Sequence, residues 1–339
     1  MVSGGALHAD SRHGCGREAA IRVDVPTRLP GAVPLTCINV PRRIRGSMSP
    51  AGQMPARTVS GAERPLKDIL IHVREYRQHT RAADFGVRLA ATLGASATAV
   101  YACPHPMHFV PGFDPAPMTA FMENALELVK GAVQARQSFQ SWAASLGVPR
   151  AEWLVAQGTA FDALMQEATR HDLLVLEHPL DGRGSPWDIP GLILKAGVPC
   201  IVLPREETAP DRQVRRVAIA WNGSPEAMRA VHAACPLLQG RQVLLLWGAA
   251  ERDVDHGVEW DPPFHLLRYL RRHGIEAEER MIAARHDNAG RVLLEASTRF
   301  GADLLVMGAY GRNRFSEWWL GGATRHALAW ANIPVLFRH

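Results

Sequence analysis

The first 65 residues contain no phenylalanine, tryptophan or tyrosine. They are rich in glycine, proline and arginine, and such a segment cannot bury enough apolar surface to offset the entropy that it would lose on ordering. We therefore expect residues 1–65 to be a disordered extension, with residues 35–40 as its candidate strand. The arginines leave a transit peptide, or an arm for an anionic partner, as the alternative.

Paired cysteines and long apolar runs are also missing. The five cysteines are odd in number and scattered, without a Cys-x-x-Cys pair, which favours free thiols in a reducing compartment over a disulfide framework. No apolar stretch reaches the ~18 residues that a membrane-spanning helix needs. The N-terminus lacks the apolar core of a secretory signal. We expect a cytoplasmic protein with no membrane partner.

The net charge of +5 comes entirely from the extension. Residues 1–60 hold eight arginines and no lysine against three acidic residues, whereas residues 61–339 hold 30 basic and 30 acidic side chains. The rest of the chain thus has no basic bias that would attract nucleic acid, and we expect no nucleic-acid partner. The length of the full chain, 339 residues, and its 47% hydrophobic content are typical of two globular domains.

Strand and helix signals alternate from residue 66 to the end, which is the pattern of a parallel sheet covered by helices. The series occurs twice, since residues 167–176 are similar to 295–307, and residues 197–203 are similar to 332–337. Such internal similarity indicates a duplicated five-strand unit. We predict one domain at residues 66–204, a polar linker at 205–212 and a second domain at 213–339.

The segment that points most directly to chemistry is 308–324, which follows an apolar strand pattern. Gly308 and Gly311 are three residues apart, and after nine further residues the pair Gly321-Gly322 stands before a helical pattern. Glycines let backbone N–H groups approach an anion closely, and a helix N-terminus adds partial positive charge. The spacing predicts a phosphate-binding loop, with a glycine-rich turn that binds nothing as the alternative.

The second half resembles the universal stress protein family in its tandem bacterial form. The resemblance rests on residues 217–224, 303–311, 321–325 and the closing Ile333-Pro334-Val335. The family's phosphate signature is Gly, two residues, Gly, nine residues, Gly, and then Ser or Thr. The resemblance implies an α/β fold of two tandem Rossmann-like (adenine nucleotide α-hydrolase-like) domains. Each would be a five-stranded parallel sheet of order 3-2-1-4-5 with helices on both faces.

The resemblance also implies ATP, AMP or ADP held outside the carboxyl ends of the first and fourth strands, where the strand order reverses. Magnesium enters only as the nucleotide's counter-ion, and no metal site is predicted. The predicted nucleotide-binding residues are Ala220, Trp221, Asn222, Gly308, Gly311, Arg312, Gly321, Gly322, Ala323 and Thr324.

The function implied is a stress-response regulatory module that binds a nucleotide and acts on an unknown protein partner. No residue has the placement of a general base or of a nucleophile activator, so no catalytic residue is predicted. A slow ATPase and a two-domain interaction scaffold without nucleotide are the alternatives. The fifth strands, residues 199–203 and 333–337, are expected to meet as in family dimers. The result would be an intramolecular pseudo-dimer, with a further homodimer left open.

Two positions depart from the family pattern. Asn222 stands where nucleotide-binding members carry Asp and offers no charged acceptor. Gly322 stands where Ser or Thr is usual, and a lost hydroxyl donor is worth ~1–2 kcal/mol if it bonded the phosphate. Thr324 carries a hydroxyl for the phosphate or for its own helix. In the first half, Glu177 and the residues after it replace the Gly-x-x-Gly pattern, so that half is expected to have lost the site.

Overall fold

The computed structural model describes residues 66–103, 115–178, 188–205, 213–248, 265–283, 288–310 and 317–339, without the side chains of residues 115–122 and 317–321. All of them belong to one compact unit. The predicted extension at residues 1–65 and most of the predicted linker, residues 206–212, lie outside the described residues.

Ten strands occur in the described chain: β1 (Asp68–Val73), β2 (Ser96–Cys103), β3 (Ala151–Gln157), β4 (Leu173–Glu177), β5 (Cys200–Leu203), β6 (Arg216–Trp221), β7 (Gln242–Gly248), β8 (Ala277–Ile282), β9 (Leu304–Gly308) and β10 (Val335–Arg338). Eight helices alternate with them: α1 (Arg81–Leu93), α2 (Pro115–Ser145), α3 (Ala160–Ala168), α4 (Ile189–Lys195), α5 (Pro225–Leu238), α6 (Leu266–Arg272), α7 (Ala289–Phe300) and α8 (Glu317–Trp330).

All ten strands form one sheet in the order β3-β2-β1-β4-β5-β10-β9-β6-β7-β8. Neighbouring strands are parallel within each half. From the outer edge of the sheet to its middle, the strands of each half follow the order 3-2-1-4-5. The two halves join where β5 and β10 pair antiparallel, with Ile201 opposite Leu336. The predicted α/β class and the predicted meeting of the fifth strands are confirmed.

The core lies on both faces of this sheet. Successive strand residues point to opposite faces, so Ile69 and Ile71 of β1 belong to one apolar cluster and Leu70 to another. Val217 and Ala218 of β6 divide between the same two clusters. Each layer therefore runs through both halves, as expected for parallel strands covered by helices on both sides.

One aspartate in each half fixes the start of the central strand. The two aspartates make equivalent hydrogen bonds, as expected for a duplicated unit. Asp172 Oδ2 accepts the N–H groups of Lys67 and Asp68 at 2.8 and 3.1 Å. Asp303 Oδ2 accepts the equivalent two N–H groups at the start of β6, both at 2.9 Å. The equivalence of residues 172 and 303 agrees with the predicted internal repeat.

Two helices of the first half differ from what their sequences suggest. The helical pattern of the sequence runs from Tyr76 to Leu93, but helix α1 begins at Arg81, because the Thr80 hydroxyl oxygen caps it by accepting the N–H of Ala83 at 3.2 Å. Helix α4 was not predicted at all. It has seven residues and includes a proline and a glycine, a composition that is typical of a loop, but the Asp188 carboxylate caps its first turn.

Candidate functional site

A cleft lies at the carboxyl ends of the strands of the second half. It is bounded by β6, β7, β8, β9 and by helices α7 and α8, and its lining residues are Ala220, Trp221, Asn222, Leu246, Gly248, Ile282, Ala289, Leu293, Met307, Gly308 and Ala323. The chain continues from β6 to β7 on one side, while β9 lies on the other side of β6. This is the switch point of the half-sheet, where open α/β sheets bind ligands.

The cleft is narrow. Its empty space is about 470 Å³ when the open mouth is included, but only about 40 Å³ admits the centre of a water molecule. A nucleotide would therefore occupy the mouth of the cleft and displace side chains to enter deeper. The walls are mainly aliphatic, and the described lining residues include no charged side chain.

Half of the predicted nucleotide-binding residues line this cleft, namely Ala220, Trp221, Asn222, Gly308 and Ala323. Gly311 and Arg312 lie outside the described residues. Three further predicted residues belong to α8 without being among the described lining residues: Gly321, Gly322 and Thr324.

The glycine pair does not precede its helix. Helix α8 begins at Glu317 and contains both Gly321 and Gly322, so the expectation that the pair marks the helix N-terminus was wrong. A Cβ atom placed on Gly322 would have nothing within 4 Å. Packing of the described chain therefore does not require a glycine at position 322.

Gly308, in contrast, is required by packing. A Cβ atom at this last residue of β9 would lie 2.5 Å from the backbone nitrogen of Ala227 and 2.6 Å from the carbonyl carbon of Glu226. Both atoms belong to the first turn of α5, which cannot move without shifting the helix. The motif analysis assigned this glycine to the approach of an anion, and the structure gives it a role in helix–strand packing.

A short turn joins β6 to α5 beside the cleft. Asn222 Oδ1 accepts the N–H of Ser224 at 3.1 Å, and Ser224 Oγ accepts the N–H of Ala227 at 3.1 Å. Gly223 between them has a left-handed φ of +72°, which glycine adopts without strain. Ser224 is the N-cap of α5, and Pro225 is the first residue of that helix. Because the turn uses the Asn222 oxygen, the amide NH₂ is the donor that Asn222 has available for a ligand.

Thr324 follows the cleft residue Ala323 in α8. Its side chain is fully buried, and its hydroxyl has no hydrogen-bond partner among the described residues. The alternative that this hydroxyl bonds its own helix is therefore not observed. Buried hydroxyls are nearly always hydrogen-bonded, because burial without a partner costs about 1–3 kcal/mol. The residue after Ala323 thus carries a hydroxyl donor that has no acceptor among the described residues.

Glu177 closes the corresponding position of the first half. It ends β4 as Gly308 ends β9, and its Oε2 accepts the N–H of Ala82 in the first turn of α1 at 3.0 Å. The same oxygen lies 4.0 Å from Nε of Arg81, and the side chain is 9% exposed. A protein carboxylate therefore occupies the helix N-terminus that a bound anion would use. This geometry supports the expectation that the first half has lost the site.

Metal and thiol chemistry find little support in the described ranges. No group of three or more histidine, cysteine or carboxylate residues there is arranged to hold a metal ion. The described cysteines, Cys103, Cys200 and Cys235, are buried and form no disulfide with one another. Burial raises the pKa of Cys200 to about 12, which removes its thiolate at neutral pH.

None of the described helices combines the length and the apolarity needed to cross a lipid bilayer.

Sequence reasoning missed the apolar part of the cleft. Gly248 and Ile282 end β7 and β8, and the rule that carboxyl ends of parallel strands meet at one edge would have found both. Ala289 and Leu293 lie four residues apart on one face of α7. That spacing is equally typical of an ordinary core-facing helix, so no signal in the sequence separates them from the core.

A mostly parallel α/β sheet with a ligand cleft at its switch point places the molecule in the Rossmann-like class. Residues 213–338 match the model of the universal stress protein family. Residues 213–338 therefore form a universal stress protein domain.

One solved structure shows that the shared fold includes the first half. A universal stress protein from Archaeoglobus fulgidus is 12% identical, and the match covers 80% of this chain and 95% of that one with a TM-score of 0.53. A universal stress protein from Pseudomonas aeruginosa is 13% identical, and the match covers 80% of this chain and 93% of that one with a TM-score of 0.49. A universal stress protein in complex with cAMP is 16% identical, and the match covers 42% of this chain and 99% of that one with a TM-score of 0.27. Among curated proteins, none matches the chain.

Proposed function

We propose that the cleft of the second half binds an adenine nucleotide, ATP or its relatives AMP and ADP, and that the protein acts as a stress-response binding module. One observation carries this proposal. Residues 220–222 and 308–323 are far apart in the chain, were predicted together as a nucleotide site, and contribute five residues to one cleft at the switch point.

The chemistry of the walls is compatible with such a ligand. Leu246, Ile282 and Leu293 offer an apolar surface to a base. The amide NH₂ of Asn222 is a donor that a ribose or phosphate oxygen could satisfy. Since the described lining residues include no carboxylate, a phosphate at this cleft would meet no repulsion from its walls.

Binding is a better assignment than hydrolysis. Among the described lining residues, Trp221 and Asn222 are the ones with polar side chains, and neither can act as a general base near neutral pH. The slow ATPase alternative therefore depends on residues outside the described ranges.

Calorimetric titration of the full chain with AMP, ADP and ATP, with and without magnesium, tests the proposal. Because position 322 opens on free space, Gly322→Asp should keep the fold while it places a negative charge on α8. We expect it to weaken nucleotide binding about tenfold or more, which is about 1.4 kcal/mol. Gly322→Asn is the matched uncharged control and should bind within about threefold of the wild type.

Two outcomes would contradict the proposal. If the wild type gives neither heat nor thermal stabilisation at millimolar nucleotide, the two-domain scaffold without nucleotide is the correct interpretation. If Gly322→Asp and Gly322→Asn bind equally well, a nucleotide binds somewhere other than beside α8.

A further inference from the structure

Helices α7 and α8 border a second concavity, which is wide open to solvent. Its lining residues are Arg291, Leu294, Glu295, Thr298, Arg299, His326, Trp330 and Asn332, and about 640 Å³ of it admits the centre of a water molecule. This volume is in the range of pockets that bind ligands and peptide side chains. We call these eight residues the α7–α8 groove.

A large aromatic side chain stands exposed in this groove. Trp330 is 72% exposed, and its ring lies 6.5 Å from that of His326 one turn earlier on α8. A single exposed apolar residue needs no explanation. An indole in a concave surface between two helices is different, because tryptophan is among the residues most enriched at the energetic centres of protein interfaces.

The groove also carries positive charge that its own carboxylate does not balance. Nη1 of Arg291 lies 2.7 Å from Oε1 of Glu295, whereas Nε of Arg299 donates to the backbone oxygen of the same glutamate at 3.3 Å. The carboxylate is thus used by Arg291. Arg299 has no carboxylate partner among the described residues.

The first half provides the contrast. Arg170 holds the position of Arg299 in the repeat, and its Nη1 lies 2.9 Å from the Glu167 carboxylate. The first half also has no counterpart of the exposed indole, since the last residue of the shorter helix α4 is Lys195. The combination of an indole and an unbalanced guanidinium is therefore specific to the second half.

We infer that the α7–α8 groove binds an acidic segment of a partner protein. An apolar side chain of that segment would pack on Trp330, and a carboxylate beside it would pair with Arg299. Charge complementarity selects this occupant, because Arg291 and Arg299 outnumber Glu295. The inference does not depend on nucleotide binding, although the inner faces of the same two helices contribute Ala289, Leu293 and Ala323 to the cleft.

Fluorescence anisotropy of the full chain tests the inference. The probe is a fluorescein-labelled peptide, Asp-Glu-Leu-Phe-Asp-Glu, and the comparison peptide has lysine at each acidic position. We expect the acidic peptide to bind and the lysine peptide not to bind. Trp330→Ala should weaken binding about tenfold or more. Its indole is mostly exposed, so the fold should tolerate the change.

Arg299→Glu should weaken binding of the acidic peptide, with a loss that shrinks at high salt. Arg170→Glu is the matched control in the first half and should leave binding unchanged. Equal binding of both peptides, binding of neither, or an unchanged affinity in Trp330→Ala would overturn the inference. Sedimentation of the wild type and of Trp330→Ala tests whether a second copy of this chain fills the groove. A dimer that Trp330→Ala abolishes would mean that a second copy fills the groove, and it would also overturn the inference.

Discussion

A single residue at the end of the fourth strand distinguishes the two halves. Gly308 lets the first turn of α5 come within contact distance of β9. In the first half, Glu177 fills the corresponding space and bonds the first turn of α1 through its carboxylate. The two halves have the same topology, but β4 ends in a carboxylate that bonds the following helix N-terminus, whereas β9 ends in a glycine that has no side chain to do so.

Two buried histidines make stability depend on pH at the residue scale. Burial lowers the pKa of His178 to about 4, with Arg205 and Arg81 adding to the shift, and lowers that of His72 to about 3, with Arg74 contributing. Both folded pKa values lie below the unfolded value of 6.5, so the unfolded chain binds more protons in this window. The stabilisation is complete above pH 6.5 and is lost as the pH falls towards these values.

Urea unfolding at a series of pH values from 6.5 to 4 measures this loss. His178→Gln cannot take up the proton, so its free energy of unfolding should fall less steeply over the same window. A slope identical to that of the wild type would show that His178 does not contribute.

At the scale of elements, local signals predicted the second half best. Ser224 and Pro225 are local signals for the start of α5, because capping depends on neighbouring residues alone. The start of α8 was predicted too late, since the glycine pair is an unfavourable helix interior that the surrounding structure overrides. The packing of Gly308 on Ala227 joins residues 81 positions apart, and no local pattern contains such a contact.

The contact between β9 and α5 predicts a large effect of one methyl group. Gly308→Ala places its Cβ against backbone atoms at 2.5 and 2.6 Å, and we expect the free energy of unfolding to fall by about 1–3 kcal/mol. Gly322→Ala is the control because position 322 is open and helical, where alanine is favoured by roughly 0.5–1 kcal/mol. Chemical denaturation measures both. Equal effects would show that α5 can shift away from β9.

Three residue pairs between β5 and β10 join the two halves of the sheet, and we call these pairs the seam. Val335, Leu336 and Phe337 of β10 face Val202, Ile201 and Cys200 of β5, and all six are buried. Since the seam is the middle of one continuous sheet and each apolar layer crosses it, neither half completes its core alone.

This continuity predicts a single cooperative unfolding transition for residues 66–339. Scanning calorimetry should give equal calorimetric and van't Hoff enthalpies for the wild type. Leu336→Ala removes a fully buried side chain at the seam and should cost about 2–5 kcal/mol. Because it weakens the coupling between the halves, it should also raise the ratio of calorimetric to van't Hoff enthalpy above one.

Leu270→Ala is the matched control, since Leu270 is equally buried but lies on α6, away from the seam. It should lower the melting temperature while the enthalpy ratio stays at one. Two resolved transitions in the wild type would mean that the halves fold independently, and the antiparallel pairing of β5 with β10 would then be a docking contact between two self-sufficient domains. A ratio that stays at one in Leu336→Ala would place the coupling in the helical layers that cross the seam.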